Sequence, residues 1–217
     1  MKEVNGQDFM IFMGILAGVI SLLAYVPYIA SIIRRKTVPS RTSFWILFLV
    51  GLITLLAYKE SGASNTLFFL IGDLVGCFLI ALLSLLYGKD GTQTFDKLCF
   101  FGAIVSLGLW FFFQEHPSVA LISSLSVEFV AMIPILKKAY LNPFEEDITA
   151  WLLSFVAAVM NIYAIETWSF LVALIPIYEL VIVGTIVLFL SRRGESRVPL
   201  KGITSHLKMV RLVRFKI

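Results

Sequence analysis

Charge is scarce in this chain. Asp, Glu, Lys and Arg make up 15% of the 217 residues, against 59% hydrophobic residues and a mean hydropathy of +0.92. Soluble domains carry about a quarter charged residues, and so short a chain cannot enclose this much apolar surface in one water-facing core. The expected solvent is lipid. Cysteine is almost lacking: Cys77 and Cys99 lie in or beside apolar runs without metal-ligand spacing and read as packing residues. His116 and His206 stand far apart, without ligand company. No Ser-His pair, phosphate-binding loop or dinucleotide fingerprint occurs. These absences leave no metal or cofactor to assign and point away from an enzyme. The net charge of +4 would suggest nucleic acid in a soluble protein; here its distribution bears on membrane orientation instead, and no nucleic-acid partner is expected.

What is abundant is apolar runs. A helix needs about 20 mostly apolar residues to cross roughly 30 Å of hydrocarbon. Seven stretches qualify, at 9–33, 42–58, 66–87, 98–113, 118–136, 148–165 and 168–190. The first is too long for the apolar core of a signal peptide. None alternates with period two, so a transmembrane barrel is not expected. The expected fold is an all-α integral membrane protein of seven transmembrane helices. With the N-terminus outside, sixteen of the eighteen Lys and Arg residues fall on the cytoplasmic side, leaving Lys2 and Lys59 outside. The basic segment 192–217 then forms a cytoplasmic tail, either solvated or lying on anionic lipid as a short amphipathic helix.

The chain also repeats itself. "YVPYIASIIRRKTVPSRTSFW" matches "AMIPILKKAYLNPFEEDITAW": Pro27 aligns with Pro134 at an offset of 107, and Trp45 with Trp151 at 106. Carrying 106 forward places Asp73 on Glu179, and both are acids inside apolar runs. Residues 1–90 and 117–191 therefore read as two copies of a three-helix unit, with 91–116 as a linker helix. An odd linker makes the copies parallel, giving a 3+1+3 arrangement about an axis along the membrane normal.

This plan, the proline in the first helix of each copy and the basic loop before a Ser/Thr-x-Trp start resemble the SWEET and PQ-loop transporter superfamily, which includes the half-size SemiSWEETs. The resemblance covers residues 9–190 and implies a bacterial inner or plasma membrane and alternating access to a central cavity. The Pro-Gln dipeptide of the PQ-loop group is absent, because Tyr28 follows Pro27 and Ile135 follows Pro134. SWEETs place an asparagine where Asp73 and Glu179 stand, so acids here favour protons or cations as partners. By the same comparison, Tyr58, Asn161 and Tyr163 are expected to wall the solute site, although tyrosine at a membrane interface is ordinary.

Asp73 and Glu179 are expected to face a polar cavity, since an ionised acid in hydrocarbon costs about 2.5–3.5 kcal/mol on insertion scales. Glu128 is a third intramembrane acid, whose repeat partner is Ser21. The competing reading of all three is a packing carboxyl bonded to a neighbouring hydroxyl. Pro27 and Pro134 each free a carbonyl one turn back and are candidate hinges. Trp45 and Trp151 read as interfacial anchors. The expected function is small-solute transport by alternating access, coupled to protons or cations through these acids. A receptor or sensor on the same fold, as in the KDEL-receptor branch, and a passive cation pore are the alternatives. An oligomer is compatible with either plan.

The orientation is testable. Cysteine introduced at positions 3 and 205 should react with impermeant reagents from opposite faces of the membrane; labelling of both from one face contradicts the seven-span topology.

Overall fold

The computed structural model describes residues 6–39, 41–88, 98, 101–102, 104–105, 108–109, 111–112 and 116–192. The tail beyond Arg192 and Cys99 lie outside the described residues. All described regular structure is helical. The helices are α1 (Gly6–Ile33), α2 (Arg41–Glu60), α3 (Leu67–Tyr87), α4 (Pro117–Leu141), α5 (Ile148–Tyr163) and α6 (Phe170–Ser191), with a 3-10 turn at Pro143–Glu145. The described residues of 98–112 are helical as well. Five helices are long and apolar enough to cross a membrane; α5, at 16 residues, is shorter.

Local chemistry sets several of these boundaries. Asp147 caps α5 by accepting from the backbone N–H groups of Thr149 and Ala150, and Ser169 caps α6 through Val172 N–H. Pro117 opens α4, where its missing N–H costs nothing. The Arg41 guanidinium donates to the carbonyls of Ser84, Leu85 and Gly88, satisfying the last turn of α3.

The packing is inverted relative to a water-soluble bundle. Large apolar side chains point outward, among them Val26 at 58% exposure, Leu86 at 81% and Leu188 at 65%. The interior includes many small and hydroxyl-bearing residues: Gly14, Ala17, Gly18, Ser21 and Ala24 from α1, Thr54 from α2, Ser84 from α3 and Ser124 from α4. So extensive an apolar surface is stable only against lipid, where helices associate through close packing of small residues and interhelical hydrogen bonds. The chain is therefore an all-helical protein suited to membrane integration.

α1 and α3 approach closely. Each carries a pair of glycines four apart, Gly14 and Gly18 on α1 and Gly72 and Gly76 on α3; Gly72 meets Gly18, whereas Gly14 meets the Asn65 backbone. A Cβ added at Gly18 would lie 2.4 Å from the Phe68 carbonyl oxygen, and one at Gly72 would lie 2.2 Å from that of Gly18. Backbone touches backbone, so no side chain fits. At Gly76 the missing Cβ makes room for the Tyr25 ring, which would otherwise sit 2.0 Å away.

The helices pair in a regular pattern. α1 packs on α3 and α5, α2 on α3 and α4, and α6 on α5 and α4. One end of the bundle gathers the close of α1, the start of α2, the close of α3 and the 3-10 turn. There Arg41 reaches the end of α3, and a cavity of about 240 Å³ sets Lys36 and Thr37 beside Glu146 and Asp147. The other end gathers the close of α2 and α5 and the start of α3 and α6, where Ser64 N–H donates to the Glu166 carboxylate. Thr54 Oγ1 donates to Ser124 Oγ at 3.0 Å, which sets the start of α4 near this second end. α3 thus finishes at one end of the bundle and α4 begins toward the other.

Gly72→Ala and Gly76→Ala are expected to destabilise the detergent-solubilised protein by about 1–3 kcal/mol through overpacking. Gly108→Ala, where an added Cβ meets nothing within 4 Å, serves as the control. Thermal unfolding checks this; equal midpoints for all three variants would show that α1 and α3 do not depend on glycine contact.

Candidate functional site

A cavity of about 110 Å³ lies between the helices near mid-bundle and draws its walls from α1 to α6. Asp73 on α3, Glu128 on α4 and Glu179 on α6 all line it. The structure therefore brings together the three intramembrane acids singled out in the sequence. Each is partly accessible rather than sealed in packing.

The acids are held differently. Asp73 Oδ1 accepts a 2.7 Å hydrogen bond from Tyr25 Oη, and the tyrosine reaches it because Gly76 leaves space for the ring. Glu128 and Glu179 line the same cavity from α4 and α6. The site thus contains one carboxyl tied to a phenol and two further carboxyls entering from other helices.

The wall draws on positions paired by the sequence offset. Asp73 and Glu179, Cys77 and Val183, and Phe44 and Ala150 are pairs separated by 106 residues; Tyr25 and Met132, and Tyr28 and Ile135, are separated by 107. Both members of all five pairs line the cavity. Trp151 also lines it and donates from Nε1 to Glu146 Oε2 at 3.1 Å. It is a cavity-wall residue tied to the adjoining loop, not simply an interfacial anchor. Trp45 instead packs edge-on against Phe48 and Phe78.

The three residues expected to wall the site near the far end stand elsewhere. Tyr163 is 60% exposed on the outer surface of the bundle. Asn161 is fully buried, and its side-chain nitrogen and oxygen have no hydrogen-bond partner among the described residues. Tyr58 is fully buried in the core beside Phe69, Leu121 and Val172. Its hydroxyl lies 2.9 Å from Thr66 Oγ1 and donates to the Val172 carbonyl at 2.5 Å. That carbonyl is available for a stated reason. Pro176, four residues on in α6, has no N–H to take it. Tyr58 thereby ties α2 to α6 at the second end of the bundle.

Pro27 lies within α1, where it leaves the Leu23 carbonyl without its usual helical donor. Pro134 falls within α4, and its ring is not among the described side chains. The residues missed in the sequence are Tyr25, Trp151 and Pro176. Tyr25 had a readable signal, since it stands 48 residues before Asp73 on the glycine-bearing helix that pairs with α3. Compared with family models, curated proteins and solved structures, the chain matches none.

Proposed function

We propose that the chain is a small-solute transporter working by alternating access, coupled to protons or cations through Asp73, Glu128 and Glu179. The observation that carries this reading is the cavity lined by matched positions of two halves of the chain, with three carboxyls facing into it. A site shared between repeats is where a carrier can expose one solute to either side by rocking the halves.

The supporting architecture is seven spanning helices in the 3+1+3 plan, with the described residues of 98–112 belonging to the linker span. Three relations favour it. Exchanging α1 with α4, α2 with α5 and α3 with α6 converts α1–α3 packing into α4–α6, α2–α3 into α5–α6, and α1–α5 into α2–α4. The segment between Gly88 and Pro117 joins opposite ends of the bundle, as a crossing helix would. The end bearing Arg34, Arg35, Lys36 and Arg41 also carries Lys137, Lys138 and Arg192. That end is the cytoplasmic one in this reading, with the N-terminus outside and a bacterial inner or plasma membrane as the location. The resemblance to SWEET and PQ-loop transporters points the same way.

In that orientation the outer end is closed. Thr54 to Ser124, Tyr58 to Val172 and Ser64 to Glu166 each link one half to the other on the outer side. The apolar cluster around Leu121, Phe69, Ile165 and Val172 fills the space between them. A plug of this kind favours a carrier closed to the outside over a passive cation pore. On the inner side, the second cavity is lined by Lys36 and Thr37 from one half and Glu146 and Asp147 from the other. Protonation of the carboxyls, or entry of a cation, neutralises the central site and allows the halves to close around it. Leaving uncompensated charge there opposes closure, because burying an unpaired ion costs several kcal/mol.

Asp73→Asn and Glu179→Gln preserve shape and hydrogen-bonding capacity and should leave the fold intact. In reconstituted vesicles each should lower uptake driven by a pH gradient by on the order of tenfold or more, while exchange of a neutral solute persists. Unchanged rates and an unchanged pH profile in both variants would reduce the acids to packing groups.

A further inference from the structure

The geometry points to a small organic ammonium ion as the solute of the central cavity, an inference that rests on the transporter reading and narrows it. Two features of the wall are independent of each other. The first is unbalanced charge. Asp73, Glu128 and Glu179 enter from three different helices, and among the described residues no Lys, Arg or His lines the cavity. Among the described residues none of the three acids has a basic partner; the neighbouring ion pair joins Lys138 to Glu146 in the adjoining loop. A neutral polyol would leave a buried carboxylate without its counter-charge, whereas a monocation supplies it.

The second feature is the aromatic lining. Tyr25 and Tyr28 of α1, Phe44 of α2, Phe69 of α3 and Trp151 of α5 border the same space. Aromatic faces attract ammonium groups, Trp most strongly. Trp151 is also immobilised. Its N–H is committed to Glu146, which is 5% exposed and bridged to Lys138 Nζ at 3.0 Å. The indole therefore borders the cavity without needing a partner from the solute.

The same wall argues against calcium or magnesium. Calcium and magnesium take six or more oxygen ligands or keep much of their water, and this wall is predominantly carbon. No cluster of three His, Cys, Asp or Glu with metal-holding geometry occurs among the described residues. Carboxyls set among aromatic rings suit instead a cation whose charge is spread over C–H and N–H groups. A cavity of about 110 Å³ limits it to a compact ion.

The probes are choline and ethylammonium, with 3,3-dimethylbutanol as the uncharged counterpart of choline and glucose as a polyol. Thermal unfolding of the detergent-solubilised full chain should rise with either ammonium and not with the two neutral compounds. Trp151→Leu should weaken ammonium affinity by roughly 5- to 30-fold, with Trp151→Phe between it and the parent. Asp73→Asn should also weaken it. Absence of a shift with either ammonium overturns the inference, as does ammonium affinity unchanged in both Trp151→Leu and Asp73→Asn. Vesicle flux separates this inference from the reading beneath it. Saturable glucose uptake without competition from either ammonium leaves the transporter reading standing and removes the ammonium assignment. Ammonium binding that obeys the two substitutions, in vesicles that move no solute, retains the site and removes transport.

Discussion

Backbone contact between α1 and α3 decides where the chemistry of this protein can sit. Gly14, Gly18 and Gly72 let the two helices meet without intervening side chains, and Gly76 makes a slot for the Tyr25 ring. Only at that separation does the phenol reach Asp73 at 2.7 Å. In lipid no hydrophobic force presses helices together, so close van der Waals packing and interhelical hydrogen bonds must do so. The glycine pairs supply the first and the Tyr25–Asp73 bond the second. The aspartate that looks costly in an apolar run is thereby given a fixed donor and an open side toward the cavity.

The second half solves the same problem differently. By the 106 and 107 offsets, Leu121 and Leu125 stand where the first half has Gly14 and Gly18, and Tyr178 and Ile182 where it has Gly72 and Gly76. Bulky residues cannot reproduce the backbone contact. The acid of that stretch, Glu179, lines the cavity together with Glu128, and no tyrosine hydroxyl is bonded to it among the described residues. The two stretches thus present different surroundings to one cavity: a carboxyl restrained by a phenol from the first, and Glu128 and Glu179 from the second. Tyr58 adds a further asymmetry, because the carbonyl it takes at Val172 is freed by Pro176, whose counterpart in the first half is Leu70.

Much of this was legible in the sequence because lipid imposes simple rules. Six of the seven apolar runs marked a described helix, and expected starts such as 42, 118 and 148 lie within one residue of the observed Arg41, Pro117 and Ile148. The acids stood out because charge in such runs is rare, and the offset that paired Asp73 with Glu179 also pairs other residues of the cavity wall. What was not legible depends on contacts between helices distant in sequence. The hydroxyl of Tyr58 is captured by a carbonyl 114 residues away, which no local pattern announces. Tyr163 lies on the same short helix as Asn161 yet points outward, since helical rotation over two residues turns a side chain to another face. Trp151 was hidden for a chemical reason: an aromatic residue near a membrane interface is so common that one at the cavity carries no distinguishing mark.

The claim that organises this account is that the two halves move against each other about the central acids. Paramagnetic labels at Lys59 and Thr167 report on the end that the proposed orientation makes outer, and labels at Lys36 and Glu145 on the end that it makes inner; all four residues are exposed. Distances in each pair, measured in lipid across a range of pH with and without an ammonium solute, should change in opposite senses: as the outer pair separates, the inner pair approaches. Two distances that stay fixed, or that lengthen together, would contradict it.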